Sequence, residues 1–155
     1  MATRGGLESM HKIVVHDTPT ITVWYYATHR IIHHEMHGPC AGEEFRNALL
    51  AGSRILRQIG GRGWLSDDRA NSIVQFEDEQ WAQRVWFPST KASGWDCWAV
   101  VKPEKEVGSL SLARFVEACE RMGMNTRCFP AVAPALDWLV DVTSKAPNKP
   151  GGVGV

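Results

Sequence analysis

No stretch of this 155-residue chain strings together 18 apolar residues, so no segment reads as a membrane-spanning helix. Met1 to Met10 also lacks the apolar centre of a secretory signal. An excess of one charge is missing too. Seventeen Lys and Arg balance seventeen Asp and Glu at a pI near 7.0, which supplies no field to hold a polyanion or to steer the chain to an acidic membrane. The four cysteines, Cys40, Cys97, Cys119 and Cys128, contain no C-x-x-C pair, so neither a zinc knuckle nor a thioredoxin-type centre is indicated. Cys97 and Cys119 fall on apolar faces and read as small buried hydrophobes. There is no Walker loop, no G-x-G-x-x-G and no G-x-S-x-G elbow. Gly60-Gly61-Arg62-Gly63 lacks the Lys-Ser/Thr of a phosphate loop and precedes a strand instead of a helix. No internal repeat is present. These absences predict one soluble, cytoplasmic domain, without cofactor or resident metal, that neither binds nucleic acid nor inserts in a membrane.

What is there is a clear alternation of elements. Ile13-Val14-Val15 within His11–His16 makes a short first strand, ended by the turn chemistry of Asp17-Thr18-Pro19. Thr20 to Tyr26 is β-branched and aromatic and makes a second, and Ile31 to His37, reached by a short polar joint, a third in an antiparallel hairpin. After Gly38-Pro39, Glu43-Glu44 place negative charge in the first turn of a helix. Phe45, Ala48, Leu49, Gly52, Ile55, Leu56 and Ile59 follow its buried face to a stop at Gly60-Gly61. Strand, helix and the strand Gly63 to Ser66 form a βαβ crossover, which predicts parallel third and fourth strands. A polar loop from Arg69 to Phe76 leads to an acidic helix start at Glu77-Asp78-Glu79, and Pro88 kinks or ends that helix. Trp95 to Val101 is nearly all apolar, as in a strand covered on both faces. Ser109 caps a helix carrying Leu112, Phe115, Val116, Cys119 and Met122, with Gly123 as its stop. Asn125 to Phe129 is a last strand, and Ala135 to Val142 a terminal helix. Residues 1–10 read as a flexible lead, 11–142 as the domain and 143–155 as a disordered tail.

Three groups of residues carry chemistry. The first is Ser66-Asp67-Asp68-Arg69, where the fourth strand runs out at the sheet's carboxyl-end crevice. There the acids could orient a ligand, hold hydrated Mg²⁺ or take phosphate through Arg69; alternatively, Asp67 caps the turn and pairs with Arg69. The second is His33-His34-Glu35-Met36-His37, all six histidines of the chain preceding residue 38. Strand alternation sends His33, Glu35 and His37 to one face at about 7 Å spacing, too far apart for one small ion. They are read as an outward polar face, and His34 as a hydrogen-bonded core histidine. The third is Trp81, Trp86, Trp95 and Trp98, read as core packing, with Trp86 kept as a residue that a ligand or partner could meet.

Gly42-Glu43-Glu44-Phe45, Trp64-Leu65-Ser66-Asp67, Trp81 with Trp86-Phe87-Pro88, Val100-Val101-Lys102-Pro103 and Ala135-Leu136-Asp137-Trp138-Leu139 follow one another over residues 20–142 in an order that resembles the STAS-like fold, nearest to small bacterial proteins grouped with SpoIIAA-like domains. That resemblance implies a mixed sheet of four or five strands with about four helices, mainly on one face, and a non-catalytic regulatory role through a protein partner or self-association. It also implies a phosphorylatable serine after a central strand. Ser66 and Ser72 are the nearby hydroxyls, and the Asp-Ser-Ser/Thr-Gly setting of the family is replaced here by Ser66-Asp67-Asp68-Arg69. A related branch of the fold, the CRAL-TRIO-like domains, holds lipids, so a small apolar ligand is the alternative function. A metal-dependent enzyme using Asp67, Asp68 and the histidines is the other.

Overall fold

A computed structural model of the protein describes residues 10–71 and 74–147. Its strands are β1 (Lys12–Asp17), β2 (Ile21–Tyr26), β3 (Ile31–Met36), β4 (Gly63–Asp67), β5 (Cys97–Val101) and β6 (Asn125–Phe129). They lie side by side in chain order as one sheet. β1 to β3 are antiparallel neighbours, and β3 to β6 are parallel. The sheet therefore has six strands where the resemblance implied four or five, because both short amino-terminal strands pair into it. The chain is an α/β domain with a mixed sheet.

Each parallel step needs a crossover, and the sequence supplies helices there. α1 (Gly42–Ile59) joins β3 to β4. α2 (Phe76–Trp81), a π-helical turn (Ala82–Trp86) and α3 (Phe87–Ala92) run on from one another between β4 and β5, and α4 (Leu110–Arg121) joins β5 to β6. All three crossovers cover one face, which we call the crossover face. There Ile21, Val23, Ile32 and Trp64 of the sheet pack with Phe45, Leu49 and Leu56 of α1, Trp86 of the π turn and Cys119 of α4. α5 (Val132–Thr143) covers the other face, setting Ala135, Leu136 and Leu139 against Leu65, Ala99, Val101 and Phe129. β5 is thus enclosed on both sides, as its unbroken apolar run predicts.

Local rules fix the ends. α1 stops where Gly60 turns left-handed at φ 65°, and its N–H closes on the carbonyls of the last turn. Ser109 caps α4 by accepting from the Leu112 N–H at 3.2 Å. Pro88 neither breaks nor ends its helix. A proline there has no N–H for the carbonyl of Arg84 and would collide with it, and the wide π turn immediately before it absorbs both problems. Asp78, read as a charge for its own helix start, is buried and serves α1 instead: its carboxylate accepts from the Gly42 N–H at 2.9 Å and from Arg46 Nε at 3.1 Å.

The centre of the crossover face is aromatic. Trp64, Trp86, Trp95 and Trp98 form one connected cluster, the closest ring centres 5.0 Å apart, with Phe87 and Phe115 against it. Such tilted and edge-to-face pairs add about 0.5–1.5 kcal/mol each beyond burial. Gly52 of α1 lies hard against this cluster. A Cβ there would stand 2.5 Å from Trp64 Cη2 and 3.2 Å from Ile32 Cγ2. Gly52→Ala should therefore lower stability by about 1–3 kcal/mol, because overpacking against an immobile indole outweighs the roughly 1 kcal/mol gained in helix propensity. Urea unfolding checks this, and an unchanged or raised midpoint would contradict the packing described.

Candidate functional site

The parallel register sets Glu35 beside Asp67 and Asp67 beside Val101. Asp67 is the last residue of β4 instead of the first of a loop, and it is only 3% exposed. Alternation then turns its side chain to the face of Leu65, under the rim. Arg69 folds back over it: Nε donates to Oδ1 and Nη2 to Oδ2, both at 2.9 Å, and the Arg69 N–H adds a longer bond of 3.3 Å. The carboxylate is closed by a fork from the solvent side, and its hydrogen bonds are the largest cause raising the Arg69 pKa.

Asp68 goes the other way. Its Oδ1 lies 2.8 Å from Nε2 of His34, and the indole N–H of Trp64 donates to His34 Nδ1 at 3.0 Å. Since Nδ1 accepts, the ring proton sits on Nε2 and is donated to Asp68. His34 is the hydrogen-bonded core histidine expected. Ser66 projects to the same side, where its Oγ accepts from Trp98 Nε1 at 2.9 Å. Trp86 donates to Ser53, which is bonded in turn to Thr90. Backbone bonds finish the turn, Asp68 N–H to the Val101 carbonyl and Asn71 N–H to that of Asp68, both at 3.1 Å.

Of the residues singled out in the sequence, Ser66, Asp68 and His34 meet on the crossover face and Asp67 with Arg69 on the opposite one. The two adjacent acids do not converge on a common point. Ser66 and Trp86 are buried with their polar atoms engaged, and Ser72 lies outside the described residues. The outward-face reading of His33 is corrected: it is 2% exposed, with Trp24 packed on it at 4.2 Å between ring centres and the Tyr26 hydroxyl on Nδ1 at 2.9 Å. A cross-strand neighbour as large as Trp24 covers it, which strand periodicity does not register. Glu35 is half-buried and His37, against the Thr22 hydroxyl at 2.7 Å, is exposed. Among the described residues, no group of three or more His, Cys, Asp or Glu is placed to hold a metal ion.

Sequence reading missed Arg62, which works at the opposite, amino-terminal end of the parallel strands. Its guanidinium grips Asp96 through Nε and Nη2, each at 3.0 Å to its nearer oxygen. Through Nη1 it also donates to the carbonyls of Thr143 and Lys145, so the chain is held beyond the end of α5. A cleft of about 260 Å³ lies beside it, lined by Cys97, Asn125, Val142 and Lys145 among others. The Cys97 thiol is pushed up to about 12, first by burial and then by the Asp96 carboxylate, and burial pushes Cys128 to about 11. The visible signal was an arginine isolated between glycines, too common to single out.

Two measurements follow from these environments. Burial, then the positive charges nearby, hold the His33 imidazole well below its ordinary pKa of 6.5, so below pH 6.5 the unfolded chain binds the proton that the folded chain refuses. Stability should be full above pH 6.5 and fall as pH drops through it, by up to about 1.4 kcal/mol per unit until the depressed folded value is reached. Urea titrations at pH 7.0, 6.0 and 5.0 should show this loss reduced in His33→Phe; parallel curves would refute it. Burial is also the leading cause raising all four thiols. At pH 8 iodoacetamide should label the native protein at least about tenfold more slowly than the urea-unfolded chain, because the thiolate is the nucleophile. Fast labelling at any one cysteine, read by peptide mass spectrometry, would show that its surroundings are open.

Comparisons with protein-family models, with curated proteins and with solved structures return no match to this chain.

Proposed function

We propose that the chain is a non-catalytic binding module of STAS-like type, regulatory in role, that acts by contact with a protein partner at the rim formed by the carboxyl ends of β3, β4 and β5. One observation carries this reading: among the described residues, every acid, imidazole and hydroxyl that could do chemistry at the end of β4 is already bound to another group of the protein. Asp67 is held by Arg69, Asp68 by His34, His34 also by Trp64, and Ser66 by Trp98. None is left as a free base or nucleophile. These bonds stiffen the turn, and a stiff turn is what a recognition surface needs.

The parallel order of β3 to β6, with crossovers stacked on one face, supports the STAS-like assignment. What the rim presents outward supports binding. Arg69, whose side chain is 43% exposed, stands over Asp67, and Phe76, at the start of α2, is 73% exposed. An arginine and an exposed aromatic ring are the residue types that dominate contact energies in protein interfaces.

Affinity capture with Phe76→Asp and Phe76→Ser variants of the full chain tests the reading, each first shown by urea unfolding to keep the wild-type stability to within about 1 kcal/mol. A protein retained stoichiometrically by the wild type and lost with Phe76→Asp supports it. Equal retention by wild type and variants, or turnover of a small substrate that Asp68→Asn abolishes, would overturn it.

A further inference from the structure

At the amino-terminal end of the parallel strands, the end of α5 and the residues after it are lightly held. Thr143 lies over Gly63, where an added Cβ would stand 3.0 Å from Thr143 Cγ2, and Ser144, Lys145, Ala146 and Pro147 are exposed. The ion pair of Lys145 with Asp141 stays within the helix, and its side chains, 68% and 63% exposed, are too solvated to fix it. The hydroxyls of Thr143 and Ser144 likewise turn back to carbonyls of their own helix. Among the described residues, the hydrogen bonds that tie 143–147 to the rest of the fold are the two from Arg62 Nη1, to the carbonyls of Thr143 and Lys145.

Arg62 itself is fixed. Its carbonyl accepts from the Asp96 and Cys97 N–H groups at 3.1 and 3.0 Å, and the Asp96 carboxylate accepts from its Nε and Nη2. A rigid post thus holds a light strap. Beside it lies the cleft of about 260 Å³, with Lys145 and Ala146 forming part of the wall and Cys97, only 2% exposed, within the lining.

From this arrangement we infer that residues 143–147 are a strap latched by Arg62, and that the strap lifts as a unit while the sheet stays folded, opening the cleft and uncovering Cys97. Segments that break few contacts open at a fraction of the free energy of global unfolding, and here the main loss is two hydrogen bonds. Lifting also frees the Nη1 protons of a guanidinium whose Nη2 stands 4.0 Å from the Cys97 sulfur, so the open cleft shows a cationic edge that the closed one hides. The strap lies at the far end of the strands from Arg69 and Phe76, and its movement does not depend on how the rim is used.

Iodoacetamide labelling of the full chain in sub-denaturing urea, read at Cys97 by peptide mass spectrometry, tests this. In the wild type, the logarithm of the Cys97 rate should rise with urea at less than about half the slope of equilibrium unfolding, because lifting the strap exposes little surface. Arg62→Gln should raise the Cys97 rate without urea by at least about tenfold, the worth of one lost charge-assisted hydrogen bond, and keep the shallow slope. Electrostatics alone predicts the reverse. Burial is the main reason the Cys97 pKa is raised, and the Arg62 charge acts against it, so removing that charge from a closed cleft would slow a thiolate reaction. A wild-type Cys97 rate that follows the full unfolding slope would overturn the proposal, and this measurement decides even if the variant does not fold. A rate unchanged or slower in folded Arg62→Gln, or faster only with the full unfolding slope, would overturn it too.

Discussion

Four indole rings share the centre of the crossover face, and each brings an N–H that has to find an acceptor away from water. An unmet N–H in such a place costs about 1–3 kcal/mol, a large share of the stability of a domain this size. The acceptors are Nδ1 of His34 for Trp64, Oγ of Ser53 for Trp86, the Cys97 carbonyl for Trp95 and Oγ of Ser66 for Trp98. Once those atoms are committed, much else is determined. His34 must keep its proton on Nε2, which ties Asp68 into place and thereby closes the turn after β4. Ser66 must stay in the strand with its hydroxyl inward. The polar residues that look like catalytic equipment are what makes the aromatic packing possible.

The opposite face solves its own version of the problem less completely. There Trp24 and Tyr26 of β2 and His33 of β3 stack together, and burial leaves Nε1 of Trp24 and Nε2 of His33 without a partner among the described residues. The neutral imidazole is tolerable there, and the charged one is not. This is why desolvation leads the depression of its pKa; the equally buried His34 has an acceptor on one nitrogen and a donor on the other.

How far the sequence reveals this depends on whether the cause is local. Strand alternation, the α1 stripe, the Ser109 cap and the glycine stops are set by residues a few positions apart, and they lie where the pattern puts them. The parallel return of the chain from β3 to β4 was legible for the same reason, since a long amphipathic helix between two strands admits few other arrangements. What failed to show was decided by contacts that the one-dimensional pattern does not carry. Asp78 caps a helix that begins 36 residues earlier. His33 is buried by a tryptophan on the neighbouring strand. Pro88 is accommodated by a π turn that no periodicity announces.

The three buried or half-buried carboxylates with arginine partners, Asp67, Asp78 and Asp96, share a design that bears on what the fold can give away. In the Asp67 and Asp78 pairs the arginine is the more exposed member and keeps part of its hydration, whereas in the Asp96 pair both side chains are partly open. Removing either member would leave a desolvated charge, a loss of about 3–5 kcal/mol where burial is deep, whereas exposing the guanidinium's outer edge to something new costs little. The clamps on Asp67 and Asp78 therefore turn arginine, more than carboxylate, to the surroundings.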